Sequence, residues 1–279
     1  MQNSGLVTRG ISALVYIIVM LTGLYYSPYS LLLLFLFICL IGLWEYQTLV
    51  YKYTANKHDR SVEDKTLLCI IGGIIYMLIS GVSLDHWDYS QLAWILPLLF
   101  VLFITELYGK AKFPFIRLGL NITGLLYIAL PCALINVIAN FGGEFHPNRL
   151  LGILALLSIN DTGAYMVGRY FGKTPLFPRI SPKKTWEGTI GGAVSVIALA
   201  GVLSYLFPND FSPTTWWFIA PIAIVFGGLG DLVESLLKRS VKVKDSGTIM
   251  PGHGGILDRM DAIFFPMPFI YAYLVLYGF

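Results

Sequence analysis

The sequence has 279 residues, of which 56% are hydrophobic and 13% are charged, and its formal net charge at pH 7 is +3. A soluble domain carries about 25% charged residues, so this composition predicts a protein whose solvent is a lipid bilayer. The small net charge gives no reason to expect a nucleic-acid partner. Neither a disulfide framework nor a cysteine metal site is predicted, because each cysteine stands alone in an apolar run: Cys39, Cys69 and Cys132.

Apolar runs near the length needed to cross about 30 Å of hydrocarbon follow one another along the whole chain. Backbone groups in lipid must be satisfied internally, and the alternating pattern of a barrel is absent, so the runs predict helices. The predicted fold class is all-α, a polytopic integral membrane protein with about nine spans, the first run being a retained span rather than a cleaved signal. The predicted spans are 11–26, 30–50, 67–84, 92–107, 118–139, 150–171, 188–206, 215–236 and 262–277.

The cations are distributed unevenly about these spans. Of the 19 lysines and arginines, all except Arg149 fall on one side. The positive-inside rule therefore predicts a cytosolic N-terminus, an external C-terminus and an active site that faces the cytoplasm from the inner (plasma) membrane.

The chain changes character along its length. The first spans hold few interior charges, with Glu45 and Glu106 near helix ends, whereas polar residues lie at or near the membrane from Ser158 onward. We therefore predict N-terminal membrane helices over 1–117, a region that could dimerise, and a catalytic membrane domain over 118–279.

Asp161 lies in the middle of the sixth apolar run. An ionisable group at such a position costs roughly 2.5 to 3.5 kcal/mol on insertion scales, so it needs a partner or a watery cavity. The structural alternative is a buried aspartate that caps a neighbouring helix. The cationic loops that follow favour a functional role.

Two segments with glycines and lysines come next. The first, 168–174, contains Lys173 at a helix end, but its glycine spacing is not that of a Walker A loop. Two interpretations of this segment remain open. Its glycines could let the backbone approach a phosphate, or its cations could be topology signals only. The second, 181–188, stands ahead of a helix N-terminus, where free N–H groups and the helix dipole favour a polyphosphate. Its candidate residues are Ser181, Lys183, Lys184, Thr185 and Glu187.

The densest cluster begins at the cytosolic end of the eighth span. Spacings of three and four put Asp231, Glu234 and Ser235 on one helical face. Asp258 and Asp261 are again three apart and open the ninth span, where the dipole favours carboxylates. Acids from two helix ends, interleaved with cations, predict Mg²⁺ ligands facing a phosphate cradle. A solvated charged loop could explain the cations alone, but not the acids at helical spacing beside glycines.

The pattern of these residues closely resembles the C-terminal signature of the phosphatidate cytidylyltransferases, also called CDP-diacylglycerol synthases. It reads Ser235-x-x-Lys238-Arg239, then Lys244-Asp245, then Pro251-Gly252-His253-Gly254-Gly255-x-x-Asp258-Arg259-x-Asp261. Two further motifs, 160–165 and 181–188, also resemble that family and stand in the expected order. The family often has Ser or Cys where this chain has Asn160, which leaves the adjacent carboxylate in place. The resemblance covers Ser158 to the end, and the first helices match only in hydropathy.

The resemblance implies that CTP and phosphatidate react to give CDP-diacylglycerol and pyrophosphate, in an all-helical, Mg²⁺-dependent membrane enzyme that is usually a homodimer. We predict Asp231, Asp258 and Asp261 as metal ligands, and Lys184, supported by Lys183, as the group that stabilises charge. Asp161 would orient a second metal or monovalent cation, the lysine or the cytosine. Lys238 and Arg239 would attract the lipid headgroup, and His253 would hold phosphate without acting as a general base. The remaining predicted substrate-binding residues are Lys173, Ser181, Thr185, Glu187, Ser235, Lys244, Asp245, Gly254, Gly255 and Arg259.

Three rival interpretations are weaker. A CTP-dependent polyprenol kinase resembles the family distantly, but the long match from His253 to Asp261 argues against it. An intramembrane prenyltransferase should show paired acids, whereas 160–164 holds only Asp161. A transporter of a phosphorylated solute should place its polar groups at the midplane of broken, repeated helices. Here the cations lie on one side of the spans instead.

Overall fold

The structure is a computed structural model that describes residues 2–54, 61–109, 111–249 and 254–277. Across these ranges the backbone is almost entirely helical, which confirms the all-α prediction. The helices are α1 (Gln2–Tyr25), α2 (Pro28–Thr54), α3 (Ser61–Ser83), α4 (Ile95–Tyr108), α5 (Pro114–Gly124), α6 (Leu130–Ala139), α7 (Pro147–Phe171), α8 (Trp186–Leu206), α9 (Pro213–Ile222), α10 (Gly228–Ser240), α11 (Leu257–Phe264) and α12 (Met267–Tyr277).

Within the described ranges, 8 helical segments are long and apolar enough to cross a membrane, and Gly10–Tyr25 is a shorter apolar helix. These segments follow the predicted runs in order, so the prediction of a polytopic membrane protein is confirmed. The ends differ where polar residues continue a helix. The predicted span 215–236 extends to Ser240, and the predicted span 262–277 begins at Leu257. A hydropathy window ends a span where polar residues begin. The helix itself continues there, because its backbone hydrogen bonds do not depend on apolar side chains.

A short hairpin precedes α8, where the sequence predicted only helix and loop. Strand β1 (Pro175–Phe177) pairs antiparallel with β2 (Ser181–Thr185). Successive side chains of a strand point to opposite faces, so Lys183 and Lys184 on β2 diverge. The hairpin thus separates two lysines that the sequence treats as one pair.

Two spans contain a wider π-helical turn next to a proline. Leu125–Ala129 joins α5 to α6 shortly before Pro131, and Ala223–Gly227 joins α9 to α10 shortly after Pro221. Proline lacks the N–H group that a regular helix needs, so the ladder of hydrogen bonds must adjust nearby. The second of these turns leads directly into α10, whose first turn carries Asp231.

The chain divides into two compact units. The first unit comprises Met1–Phe145 and Ser240–Arg259, and the second comprises His146–Arg239 and Met260–Phe279. Helix α11 begins in the first unit and ends in the second. The predicted division at residue 117 stays a prediction.

Hydrogen bonds join the helices of the first unit inside its apolar core. The Tyr46 hydroxyl donates to the Leu120 carbonyl at 2.9 Å, and the Tyr76 hydroxyl donates to the Leu32 carbonyl at 2.7 Å. Asn136 in turn donates to the Tyr76 hydroxyl at 2.7 Å. Because buried polar groups cost free energy unless they are bonded, these contacts fix α2, α3, α5 and α6 against each other.

Arg117 on α5 connects three helices of the first unit. Its Nε lies 2.7 Å from Glu106 Oε1 on α4, and its Nη1 lies 2.9 Å from Asp64 Oδ2 on α3. The Arg117 and Glu106 side chains are only 10% and 8% exposed. The Tyr51 hydroxyl also donates to Asp64. Arg117 therefore neutralises two acids that would otherwise be poorly solvated.

Arg117→Ala should lower the free energy of unfolding by about 3 to 5 kcal/mol, because it leaves a buried carboxylate without its partner. Denaturant titration of the protein in mild detergent would measure this loss. Lys112→Ala is the matched control, since Lys112 is an exposed cation that lies 5.2 Å from the Phe113 ring centroid. Equal stability of the two variants would show that the three-helix ion pair contributes little.

Close helix packing at glycines organises the second unit. A Cβ atom at Gly188 of α8 would lie 2.7 Å from the Ala164 carbonyl oxygen of α7, and one at Gly192 would lie 2.7 Å from the Asn160 carbonyl oxygen. Both distances are shorter than van der Waals contact, so only glycine allows this approach. The packing holds the segment of α7 that carries Asp161 against the first turns of α8.

Candidate active site

Lys184 and Asp231 form the central ion pair of the second unit. Lys184 Nζ, on β2, lies 2.6 Å from Asp231 Oδ2, on α10. The Ser235 hydroxyl, one turn further along α10, donates to Asp231 Oδ1 at 3.3 Å. The two charged side chains keep 28% and 32% of their surfaces exposed. The pair is therefore held by the protein and is still accessible to a ligand.

Asp161 and Asp261 complete this centre. Asp161 on α7 interacts electrostatically with Lys184, Asp231 and Asp261. Asp261 on α11 interacts in turn with Asp231 and Lys238, and its Oδ1 accepts the backbone N–H of Ala262 at 2.8 Å. The helix order thus brings together acids from three helices that lie far apart in the sequence.

Glu234 anchors Lys238 beside them. Its carboxylate is completely buried, and its Oε2 lies 2.6 Å from Lys238 Nζ. The sequence placed Glu234 on the same helical face as Asp231, among the acids expected to face a phosphate cradle, but not among the three named metal ligands. A buried carboxylate needs a paired cation, so Glu234 restrains the lysine that was predicted to attract the lipid headgroup.

The charge of this group of residues suits a cation. We call it the acidic cluster; its members are Asp161, Lys184, Asp231, Glu234, Lys238 and Asp261. Acids outnumber lysines within it, and carboxylate oxygens are the ligands that Mg²⁺ prefers. In the described part of the chain, no three His, Cys, Asp or Glu side chains are already arranged around a common metal position.

Glu187 and Thr185 organise the hairpin. The Glu187 carboxylate accepts the backbone N–H of Lys173 at 3.1 Å and that of Thr174 at 3.2 Å. The Thr185 hydroxyl accepts the Gly188 N–H at 3.2 Å and so caps α8, which begins at Trp186. Both were predicted to bind substrate, and the contacts described show them holding the frame that carries Lys184.

Asp258 lies in the first unit and organises the loop that precedes α11. Its Oδ2 accepts the Ser246 N–H at 2.8 Å, the Ser246 hydroxyl at 2.9 Å and the Gly255 N–H at 2.8 Å. Gly254 has a φ of +86°, and a Cβ atom there would lie 2.6 Å from this same oxygen. Glycine is needed at this turn for both reasons.

The other predicted binding residues differ in exposure. Ser181 and Ser235 are partly buried. His253 lies outside the described residues. The exposed ones are Lys173, Lys183, Arg239, Lys244, Asp245 and Arg259.

Sequence reasoning also passed over Glu45 of α2, whose side chain is 4% exposed. The signal that could have found it is the same one that identified Asp161, an acid inside an apolar run. Its hydrogen-bond partners are Ser246, Ile256 and Leu257 of the first unit.

An apolar groove of about 570 Å³ lies on α2 and α3 of the first unit. Trp44 and Trp87 contribute indole rings to its lining, and the other lining residues are largely aliphatic. Such a surface suits hydrocarbon chains rather than a triphosphate, which needs cations and hydrogen-bond donors. The groove is therefore no candidate for the nucleotide site.

The fold and the acidic cluster define a polytopic membrane protein with a lysine–carboxylate centre suited to phosphate chemistry. The sequence profile described as the cytidylyltransferase family matches residues 7–277, and the chain belongs to this family. The resemblance found from the motifs is thereby confirmed.

Curated relatives support the same family. The chain is 34% identical over 257 residues to the phosphatidate cytidylyltransferase of Bacillus subtilis (strain 168), covering 88% of this chain and 94% of that protein. It is 36% identical over 204 residues to the one from Staphylococcus haemolyticus (strain JCSC1435), covering 72% and 76%. It is 34% identical over 212 residues to the one from Staphylococcus aureus (strain COL), covering 75% and 78%.

Proposed function

We propose that this protein transfers CMP from CTP to phosphatidate, giving CDP-diacylglycerol and pyrophosphate for phospholipid synthesis. Family membership and the activity for which the relatives are named support the reaction. The observation that carries it is the Lys184–Asp231 ion pair at 2.6 Å, with Asp161 and Asp261 near enough to interact with it electrostatically, on segments that belong to apolar helices or directly precede one. A lipid phosphate and a nucleotide can meet at such a place.

The reaction joins a phosphate oxygen of phosphatidate to the α-phosphorus of CTP. The bond between that phosphorus and the bridging oxygen of the β-phosphate breaks, and pyrophosphate leaves with the electron pair. The attacking oxygen is already ionised near neutral pH, so the site needs no general base. Catalysis then depends on in-line positioning and on neutralising charge.

Lys184 stabilises the negative charge that develops on pyrophosphate or on the transferred group. Asp231 holds the lysine at 2.6 Å, so its ammonium group is oriented before substrates arrive. The frame made by Glu187 and Thr185 keeps β2 in place. Lys183 and Lys173, both exposed, attract the outer phosphates of CTP from the solvent side.

Asp231, Asp258 and Asp261 are the carboxylates that would hold Mg²⁺, with Asp161 available to a second metal or a monovalent cation. The excess of acids in the acidic cluster supports a cation there. A bound Mg²⁺ would neutralise the triphosphate and orient it. Asp258, in the first unit, keeps this assignment from the family resemblance, and its own hydrogen bonds organise the turn before α11.

Lys238 and Arg239 serve the lipid headgroup. Glu234 holds Lys238 through a 2.6 Å ion pair, whereas Arg239 is exposed at the end of α10. A planar guanidinium can bind a phosphate with two parallel hydrogen bonds. We therefore assign Arg239 to the first contact with phosphatidate.

The distribution of cations supports an active site on the cytoplasmic side of the inner membrane. Arg149, the exception, is 9% exposed; its Nε donates to the Asp210 carbonyl at 2.7 Å, and its guanidinium lies 5.1 Å from the Phe211 ring centroid. These contacts give Arg149 a structural role, which explains its position on the side opposite to the other cations. The homodimer implied by the resemblance stays a prediction.

Purified protein with labelled CTP and phosphatidate should release pyrophosphate and form CDP-diacylglycerol, and excess chelator should abolish both products. Adding back Mg²⁺ should restore them, while Ca²⁺, which favours larger and looser coordination, should restore much less. Omission of phosphatidate is the control. Release of pyrophosphate without lipid product, or turnover that survives the chelator, would contradict the proposal.

A further inference from the structure

Glu45 stands in α2, among helices that carry none of the family motifs. It lies inside the candidate span Pro28–Tyr51, and its side chain is 4% exposed. A carboxylate in such a place is costly unless donors satisfy it. The groups that donate hydrogen bonds to the Glu45 carboxylate therefore indicate its role.

The hydrogen-bond partners of Glu45 lie more than 200 residues further along the chain. Glu45 Oε1 accepts the Ile256 N–H at 3.1 Å, and Oε2 accepts the Leu257 N–H at 2.9 Å. The Ser246 hydroxyl also lies 3.1 Å from Oε2. All of these residues belong to the first unit.

These contacts cap α11 from a distant helix. The helix begins at Leu257, so the N–H groups at its start have no partners within the helix. A carboxylate at a helix N-terminus both accepts those N–H groups and interacts favourably with the dipole. Glu45 thus caps the N-terminus of α11.

Ser246 connects Glu45 to Asp258. Its hydroxyl lies 3.1 Å from the Glu45 carboxylate and 2.9 Å from that of Asp258, and its single hydrogen can be donated to either. Asp258 also accepts the N–H groups of Ser246 and Gly255. One acid from α2 and one from α11 therefore share the same loop.

Two glycines allow Glu45 to reach this loop. A Cβ atom at Gly247 would overlap the Glu45 carboxylate and press on its side chain. A Cβ atom at Gly255 would overlap both Glu45 and Ser246. Gly247 and Gly255 thus both lie directly against this carboxylate.

We propose that Glu45 is a positioning residue for CMP transfer. It aligns Ser246, residues 255–257 and the start of α11, the helix that carries Asp258 and Asp261. This role rests on the proposed function, because it acts through residues assigned to metal and phosphate. It also gives the motif-free N-terminal helices an indirect part in the chemistry, through the residues that Glu45 positions.

Glu45→Gln tests the role with almost no change in volume. The amide keeps one acceptor oxygen but turns an NH₂ group toward N–H donors, so the start of α11 should shift. Misplacement on the scale of 1 Å can cost about 100-fold. We expect kcat to fall by about 10-fold to 100-fold, with the KM for CTP within about 3-fold of the wild-type value, since positioning acts mainly in the transition state.

Hydrogen exchange without substrates measures the alignment independently of turnover. Glu45→Gln should speed exchange in residues 254–264 and leave α3 protected. Gln47→Leu is the matched control, because Gln47 is equally buried on α2 but donates to Asn121 at 2.6 Å. Wild-type protein that binds no CTP and forms no lipid product would sink the proposed function, while the exchange result would still decide the role of Glu45.

A double-mutant cycle tests the contact itself. Gly247→Ala should lower kcat because the new methyl group displaces Glu45. Adding Gly247→Ala to Glu45→Asp should lower it far less, since the shorter acid has withdrawn from the overlap. Additive effects, a wild-type kcat for Glu45→Gln, or faster exchange throughout α2 and α3 would each overturn the proposal.

Discussion

Lys184→Ala should lower kcat by at least about 100-fold, the range typical for one preorganised charge contact. The substitution removes the cation that faces the reacting phosphates and also leaves Asp231, 2.6 Å away, without its partner. Steady-state kinetics in mixed micelles, with both substrates saturating, would measure the loss. Lys184→Arg should recover only part of the rate, because a guanidinium is wider and differently shaped.

Lys183→Ala is the matched control for this experiment. Lys183 is the neighbouring lysine of β2, exposed and on the opposite face. Its removal should cost no more than about 5-fold, as expected of a solvated charge. Equal losses of kcat for the two variants would show that Lys184 is only a topology signal.

Asp231→Asn should have the larger effect, about 1,000-fold or more on kcat, because it acts on two features of the centre. It removes a predicted Mg²⁺ ligand, and it presents an amide to the Lys184 ammonium. Kinetics over a range of Mg²⁺ concentrations would show a weaker metal dependence. In parallel, Mg²⁺ should raise the thermal unfolding midpoint of the wild type but not of the variant, by linkage of ion binding to folding.

Asp88→Asn controls for the loss of one acidic charge. Asp88 is exposed, and its side chain makes no capping hydrogen bond with the short helical turn Tyr89–Trp94. Both readouts should stay at wild-type values for it. Near-normal turnover by Asp231→Asn would remove that residue from the metal site.

Local patterns in the sequence predicted a large part of this structure. Hydropathy identified the spans because crossing a membrane depends on composition over about 20 residues. Helical spacing placed Asp231 and Ser235 together, and their side chains are 3.3 Å apart. Span ends were less accurate, since α10 and α11 continue through polar turns that no apolar window includes.

Predictions about pairs of distant residues were harder. Lys183 and Lys184 look equivalent in the sequence, yet the β1–β2 hairpin brings only Lys184 to Asp231. Glu187 and Thr185 fit a binding motif, yet their contacts described here are with the local backbone. A side chain's partner depends on strand register and helix rotation, which motif spacing does not contain.

The sequence by itself determined that this is an all-α membrane protein of the cytidylyltransferase family, with carboxylates and lysines gathered in its second half. Both conclusions depend on local order, on the hydropathy of successive segments and on the spacing of motif residues. Only the tertiary structure decided that Asp161, Lys184, Asp231 and Asp261 interact as one group and that Glu45 caps α11. Those contacts join helices far apart in the chain, and their geometry follows from close packing at glycines and from buried polar groups that must find donors.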